Sequence, residues 1–224
     1  MTGPVLPPAT AVGAGARRAK TWHLFVGLAA AMLVGNWYFR EFVMTREVQA
    51  LLFGDAMDAT ALEQRWQLYQ RTALWSYAFT PIALWVQVAF VALTAQLGLL
   101  LWRIDVPFSR LFRATLVAQV VPVAQALAMV VRQARLTRSE ISPATFYEEP
   151  GGIVGLLPPS WAGAAPVLEA ITLFDLAWYA LLFVALWKIA GVGRRAAGLV
   201  VLGMGVVFNF FEWAITAYVE RLGA

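Results

Sequence analysis

Cysteine is absent, so the chain has no disulfide framework, no thiolate nucleophile and no Cys-type metal site. Histidine occurs once, as His23 at the mouth of an apolar run. Alone it is neither a triad base nor a metal site, and its polar tip meets water or headgroups. Charge is equally sparse: 13% of the residues are Asp, Glu, Lys or Arg, where a soluble domain carries roughly 25%. No nucleophile, base and orienting residue converge in sequence, so the chain reads as non-enzymatic. No cofactor is implied either. Gly191 to Arg195 (GVGRR) lacks the Gly-Lys-Ser/Thr ending and the preceding strand of a phosphate loop, and reads as a helix-connecting turn. No repeat with a period of roughly 20–50 residues is present.

What is present is apolar. The 224 residues are 61% hydrophobic with a mean hydropathy of +0.68, and nearly uncharged runs reach the roughly 20 residues that span about 30 Å of hydrocarbon. Ten Trp, six Tyr and fourteen Phe suit the boundary between hydrocarbon and headgroups. The net charge of +4 is small, and basic residues sit in short groups beside apolar runs rather than along one face, which argues against a nucleic-acid partner.

Residues 1–20 are rich in Gly, Pro and Ala and end in Arg17, Arg18 and Lys20; they read as a disordered basic tail. Residues 21–224 read as one transmembrane domain, all-α, a polytopic helix bundle with spans at about 22–39, 74–102, 111–131, 173–190 and 196–218. The first run resembles a signal peptide in its charge order, but no small-residue cleavage site follows Asn36 to Arg40, so it is expected to be retained. Pro81 and Pro122 fall inside spans two and three, where each is expected to kink its helix and free a carbonyl.

Orientation follows from the short basic segments. With the N-terminus cytoplasmic, that side receives Arg17, Arg18, Lys20, Arg103, Arg110, Arg113, Lys188, Arg194 and Arg195 against a single acid, Asp105. The expected orientation is therefore N-terminus inside and C-terminus outside.

Between spans one and two, Met44, Val48, Leu51 and Leu52 follow helical spacing, as do Leu62, Trp66 and Tyr69. Two short amphipathic helices are expected, with Thr60 and Glu63 at capping-box spacing in the second. The connection over residues 132–172 turns from polar to Pro- and Gly-rich and reads as irregular surface structure.

Three segments together resemble a known family. The stretch DAMDATALEQRWQLYQRTALWSYAFTP (55–81) resembles the acidic, Gln-rich helix that leads into the second span of bacterial Yip-domain proteins. PFSRLFRATLVAQVVP (107–122) is similar to that family's basic lead into a span with a proline partway along. PVLEAITLFDLAWYALLFVALWKIAGVGRRAAGLVVLGMGVVFNFFEWAITAYV (166–219) resembles its last two spans, where an L-D-L-F-x-x-W segment opens a helix and a Gly and basic residues form a tight turn. Here the order is Leu173-Phe174-Asp175-Leu176, with Trp178 closer to the Asp. The resemblance implies five spans, a cytoplasmic N-terminus, a short far-side C-terminus and a place in a bacterial inner membrane. Eukaryotic Yip-type proteins are associated with Rab GTPases; the short cytoplasmic segments here give no basis for carrying that partner over.

Ionisable groups inside spans are the sharpest chemical signal, because a charge at the membrane centre costs several kcal/mol unless paired or neutralised. Asp175 and Glu212 qualify, and Asn209 shares a helix face with Glu212. Asn36, Arg40 and Arg132 come from the outer ends of spans one and three, so these six residues are expected to form an outer polar cluster. It would hold the bundle together through Asp175 or Glu212 paired with Arg132 or Arg40, form a cavity for a proton, cation or lipid headgroup, or leave the carboxylates snorkelling to the interface. Gln87, Gln96, Gln119 and Gln125 are expected to hydrogen-bond between helices, each contributing roughly 0.6 kcal/mol. The leading expectation is a membrane protein acting on lipids, other membrane proteins or a second copy of itself. The alternatives are a small transporter or channel subunit using the two carboxylates, and an accessory subunit of a larger complex.

Overall fold

The computed structural model describes residues 11–54, 56–148, 150–152 and 172–223. Among them every regular element is helical, joined by one isolated bridge between Gly152 and Thr172. Helix α1 runs Ala11–Tyr38 and continues through a π-turn, Phe39–Val43. It begins well before the expected span, because the run from Ala11 to Lys20 is built largely of Ala and Arg, both strong helix formers; residues 1–10 of the expected tail lie outside the described residues. Two short helices follow, α2 (Arg46–Phe53) and α3 (Ala59–Arg71), then α4 (Ala73–Leu101). Beyond a turn containing Arg103 in the left-handed region (φ 55°), α5 (Phe108–Ala118) and α6 (Val120–Arg135) form the third rod. Helix α7 (Pro143–Tyr147) lies in the next connection, and α8 (Leu173–Lys188) and α9 (Arg194–Gly223) close the chain.

Four of these rods, Thr21–Val43, Ala73–Leu101, Phe108–Arg135 and Arg194–Phe211, are long and apolar enough to cross a membrane. The remaining expected span is α8, whose 16 residues rise about 24 Å, short of about 30 Å of hydrocarbon. Its ends are set by chemistry: Thr172 caps the start, and Gly191 takes the left-handed backbone (φ 77°) that turns the chain away.

Pro81 leaves α4 continuous. Pro122 acts differently, for its missing N–H cannot bond the Ala118 carbonyl, and the helix breaks at Gln119.

Interior packing relies on small residues. Ala92 and Ala95 of α4, Ala114 and Ala118 of α5, Ala185 of α8 and Ala197 of α9 are all buried in one cluster with Leu99, Leu111, Leu182 and Leu186. Small side chains let backbones approach closely, and van der Waals contact then holds helices that gain little from the hydrophobic effect in lipid. A second cluster joins Leu28 and Ala29 of α1 to Leu84, Val88, Leu116 and Val123. Outside, Leu74, Leu101 and Val206 are 80%, 85% and 71% exposed, a surface suited to hydrocarbon and not to water.

A third cluster sits beyond the rods. Val43, Met44 and Leu52 enclose Phe146 of α7, with Phe39, Tyr69 and Ile141 packed around them. Arg138 meets Glu47 at 2.5 Å and Gln133 Nε2 donates to the Phe146 carbonyl (3.1 Å). The two connections on this side therefore fold onto each other, and the buried side of α2 faces its own chain.

Candidate functional site

On the rim between α1, α3 and α4 lies a cleft of about 370 Å³ lined by Met32, Asn36, Phe39, Arg40, Tyr69, Ser76, Phe79, Thr80 and Ala83. Helical spacing builds it: Asn36 and Arg40 are one turn apart on α1 and its π-turn, and Ser76 and Thr80 are one turn apart on α4. The two ladders face each other. Asn36 Nδ2 donates to Ser76 Oγ (3.0 Å) and to Thr80 Oγ1 (3.2 Å), and Thr80 Oγ1 donates to the Ser76 carbonyl (2.8 Å). Arg40 Nη2 donates to the Tyr69 carbonyl, with its guanidinium 3.9 Å from the Tyr69 ring centroid. The Tyr69 hydroxyl is buried without a hydrogen-bond partner among the described residues. Burial pushes its pKa up to about 12, against the pull of Arg40 and with smaller upward pushes from Tyr77 and Glu41.

No protein-family model, curated protein or solved structure matches the chain.

A second, apolar groove of about 550 Å³ runs between α4 and α9, lined by Leu97, Gly98, Leu101, Val200, Gly203 and Met204 among others. Gly98 lets α4 and α9 approach closely, for a Cβ there would stand 3.3 Å from Val200, while a Cβ at Gly203 would meet nothing within 4 Å.

The six residues expected to cluster each bond to groups outside that set, so far as their side chains are described. Asp175 closes a capping box at the start of α8: its Oδ2 accepts from the Thr172 N–H (2.8 Å) and Oγ1 (2.7 Å), and its own N–H donates to Thr172 Oγ1 (3.1 Å). Arg132 donates to the Glu148 carboxylate and carbonyl. Asn209 Nδ2 donates to the Gly205 carbonyl (2.7 Å) and to the Tyr179 hydroxyl (3.3 Å). Asn36 and Arg40 both line the cleft. The side chain of Glu212 lies outside the described residues.

Two further expectations meet different partners. The cap of α3 is Asp58, whose Oδ1 accepts from the Ala61 N–H (2.7 Å); Glu63 instead pairs with Arg46 at 2.5 Å. Asp is the stronger cap and directly precedes the first helical residue, so Thr60 lies inside the helix. Gln119, at the break in the third rod, is fully buried, and neither polar atom of its amide has a hydrogen-bond partner among the described residues.

Ser76, Thr80 and Tyr69 were not singled out by sequence as site residues. The available signal was the one-turn spacing of Ser76 and Thr80, matching that of Asn36 and Arg40 on the preceding span.

Proposed function

We propose that the chain is a non-enzymatic, Yip-like integral protein of a bacterial inner membrane that acts by contact with lipids or other membrane proteins, a second copy included. The observation that carries this reading is that both grooves lie on flanks of the bundle, beside strongly exposed apolar residues such as Phe79 and Leu101, while Val, Leu and Ala fill the space among α4, α5, α8 and α9. Recognition at bilayer depth needs such a flank. The Yip-like assignment draws on the three quoted segments and on the order of elements: a span, two short helices, a span, a basic lead into a proline-containing span.

A fifth span at α8 fits the same reading. Leu182, Ala185 and Leu186 are buried against the neighbouring rods, and local bilayer thinning accommodates a short span at modest cost. The basic segments support a cytoplasmic N-terminus. The competing transporter reading needs Asp175 as an exchanging carboxylate, whereas its Oδ2 already accepts two hydrogen bonds from Thr172.

The chain's lack of cysteine makes it a clean host for single-cysteine labelling. Ser139→Cys should react with an impermeant maleimide from outside the cell, and Asp105→Cys only after permeabilisation; the reverse pattern overturns the orientation. Reconstituted into vesicles with a pH-sensitive dye, the protein should give no proton or cation flux above empty vesicles, and a flux abolished by Asp175→Asn would favour the transporter.

A further inference from the structure

We infer that the cleft between α1 and α4 binds the phosphate-bearing headgroup of one phospholipid, with Arg40 as the anchor for the phosphate. The inference rests on the reading that the chain works within a bilayer by contact with its surroundings, and it names the ligand.

Polarity in the cleft is layered along the rods. At the mouth stand Phe39, Arg40 and Tyr69, next come Asn36, Ser76, Phe79 and Thr80, and deepest are Met32 and Ala83. Eight residues separate Met32 from Arg40 and seven separate Ser76 from Ala83, rises of about 12 Å and about 11 Å. The cleft thus spans somewhat over a third of a hydrocarbon core of about 30 Å. A glycerophospholipid presents the same succession: phosphate, then ester and glycerol oxygens, then acyl chain. A partner helix would need no cation at one end, and a hydrated ion would need no apolar floor.

Individual groups agree. Arg40 makes one hydrogen bond among the described residues, from Nη2 to the Tyr69 carbonyl, which leaves further N–H donors of its fork for an anionic oxygen. Tyr69 carries a buried hydroxyl without a partner that stays protonated and so can donate. The cleft's charged lining residue is Arg40, which suits the phosphate that zwitterionic and anionic headgroups share. The volume of about 370 Å³ is at the small end of ligand sites, roughly 300–1,000 Å³, room for the phosphate, the glycerol oxygens and the first carbons of one acyl chain, which continues outward past Phe79 and Ile82, both more than half exposed.

Native mass spectrometry of the full chain in mild detergent, with phosphatidylglycerol, phosphatidylethanolamine or diacylglycerol added at equal mole fraction, tests this. Both phospholipids should be retained about tenfold over diacylglycerol, the effect of one charge-assisted hydrogen bond. Arg40→Gln should bring them to the diacylglycerol level, while Arg138→Gln, an exposed cation paired with Glu47, should change nothing. Because Arg40 also ties the Tyr69 carbonyl, Ala83→Trp serves as a second variant: it fills the exposed floor of the cleft, leaves Arg40 in place and should give the same loss. Equal retention of all three lipids, an Arg40→Gln no different from Arg138→Gln, an inert Ala83→Trp, or displacement of phosphatidylglycerol by millimolar inorganic phosphate would each overturn the lipid site. Any of these results in a chain that still inserts and conducts nothing leaves the broader reading standing; failure to insert removes both.

Discussion

Phe146→Ala should unfasten the cap formed by the two connections without loosening the bundle beneath it. Phe146 is wholly buried among Val43, Met44 and Leu52, its ring centroid 6.4 Å from that of Phe39 and 5.3 Å from that of Tyr147. Truncating a buried Phe to Ala costs about 3–5 kcal/mol, the lost transfer of the ring plus the cavity left behind. At about 1.4 kcal/mol per decade, the open cap becomes roughly two to four powers of ten more frequent. The effect is local because no residue of the Phe146 cluster belongs to either cluster inside the bundle. Hydrogen exchange read by mass spectrometry should show the amides of 46–53 and 138–148 exchanging faster by that factor, while those of 84–99 and 111–118 hold their rates. Phe146→Leu, which keeps most of the apolar volume, should recover most of the protection. Faster exchange of the bundle amides in step with the cap, or an unchanged cap, would refute the separation of the two cores.

Thr172→Ala removes one side of the capping box on α8 and should destabilise the start of that helix by about 1 kcal/mol, read as faster exchange confined to the first turn from Leu173; a global fall in melting temperature would contradict it. The Tyr69 phenol, held up to about 12, should ionise later than an ordinary tyrosine in an ultraviolet titration, and Tyr69→Phe should delete that late step. Since its proton is bound more tightly in the folded chain than in the unfolded one, the associated stability is complete below about pH 10 and is lost as the pH rises toward 12; protection of the cap amides, taken relative to their base-catalysed intrinsic exchange, should fall over that interval and not below it. Gln119→Leu replaces a buried, unpartnered amide with a side chain of similar size and should stabilise the bundle by about 1–3 kcal/mol, seen as a higher melting temperature in detergent. A lower one would mean that the amide is bonded or hydrated in solution.

Hydropathy made the long rods legible because crossing about 30 Å of hydrocarbon takes about 20 apolar residues in a row, a property of the chain in one dimension. The break in the third rod was legible for a similar reason: Pro122 announces a lost hydrogen bond wherever the helix goes. What averaging over a window could not separate was a carboxylate inside a span from one at its first turn. Asp175 reads as intramembrane when the run is taken from Leu173 to Ala190, yet Thr172 and Asp175 are spaced as a capping box, and the helix begins between them. The pairs Arg132–Glu148 and Arg138–Glu47 join residues across loops, where no periodicity links the partners. The cleft was half legible. The spacing that puts Asn36 with Arg40, and Ser76 with Thr80, is local, but that these two faces meet depends on the rotation of α1 against α4, which neither helix encodes alone.

The salt bridge between Glu47 and Arg138 spans 91 residues of chain, and that separation sets a clock on biosynthesis. At roughly 5–20 residues per second, a ribosome needs about 5–20 s between releasing the first partner and the second, and both intervening rods must be threaded in that interval. Throughout it Met44 and Leu52 have no Phe146 to cover them, so nascent chains halted between these points should be the form most prone to capture by chaperones and proteases.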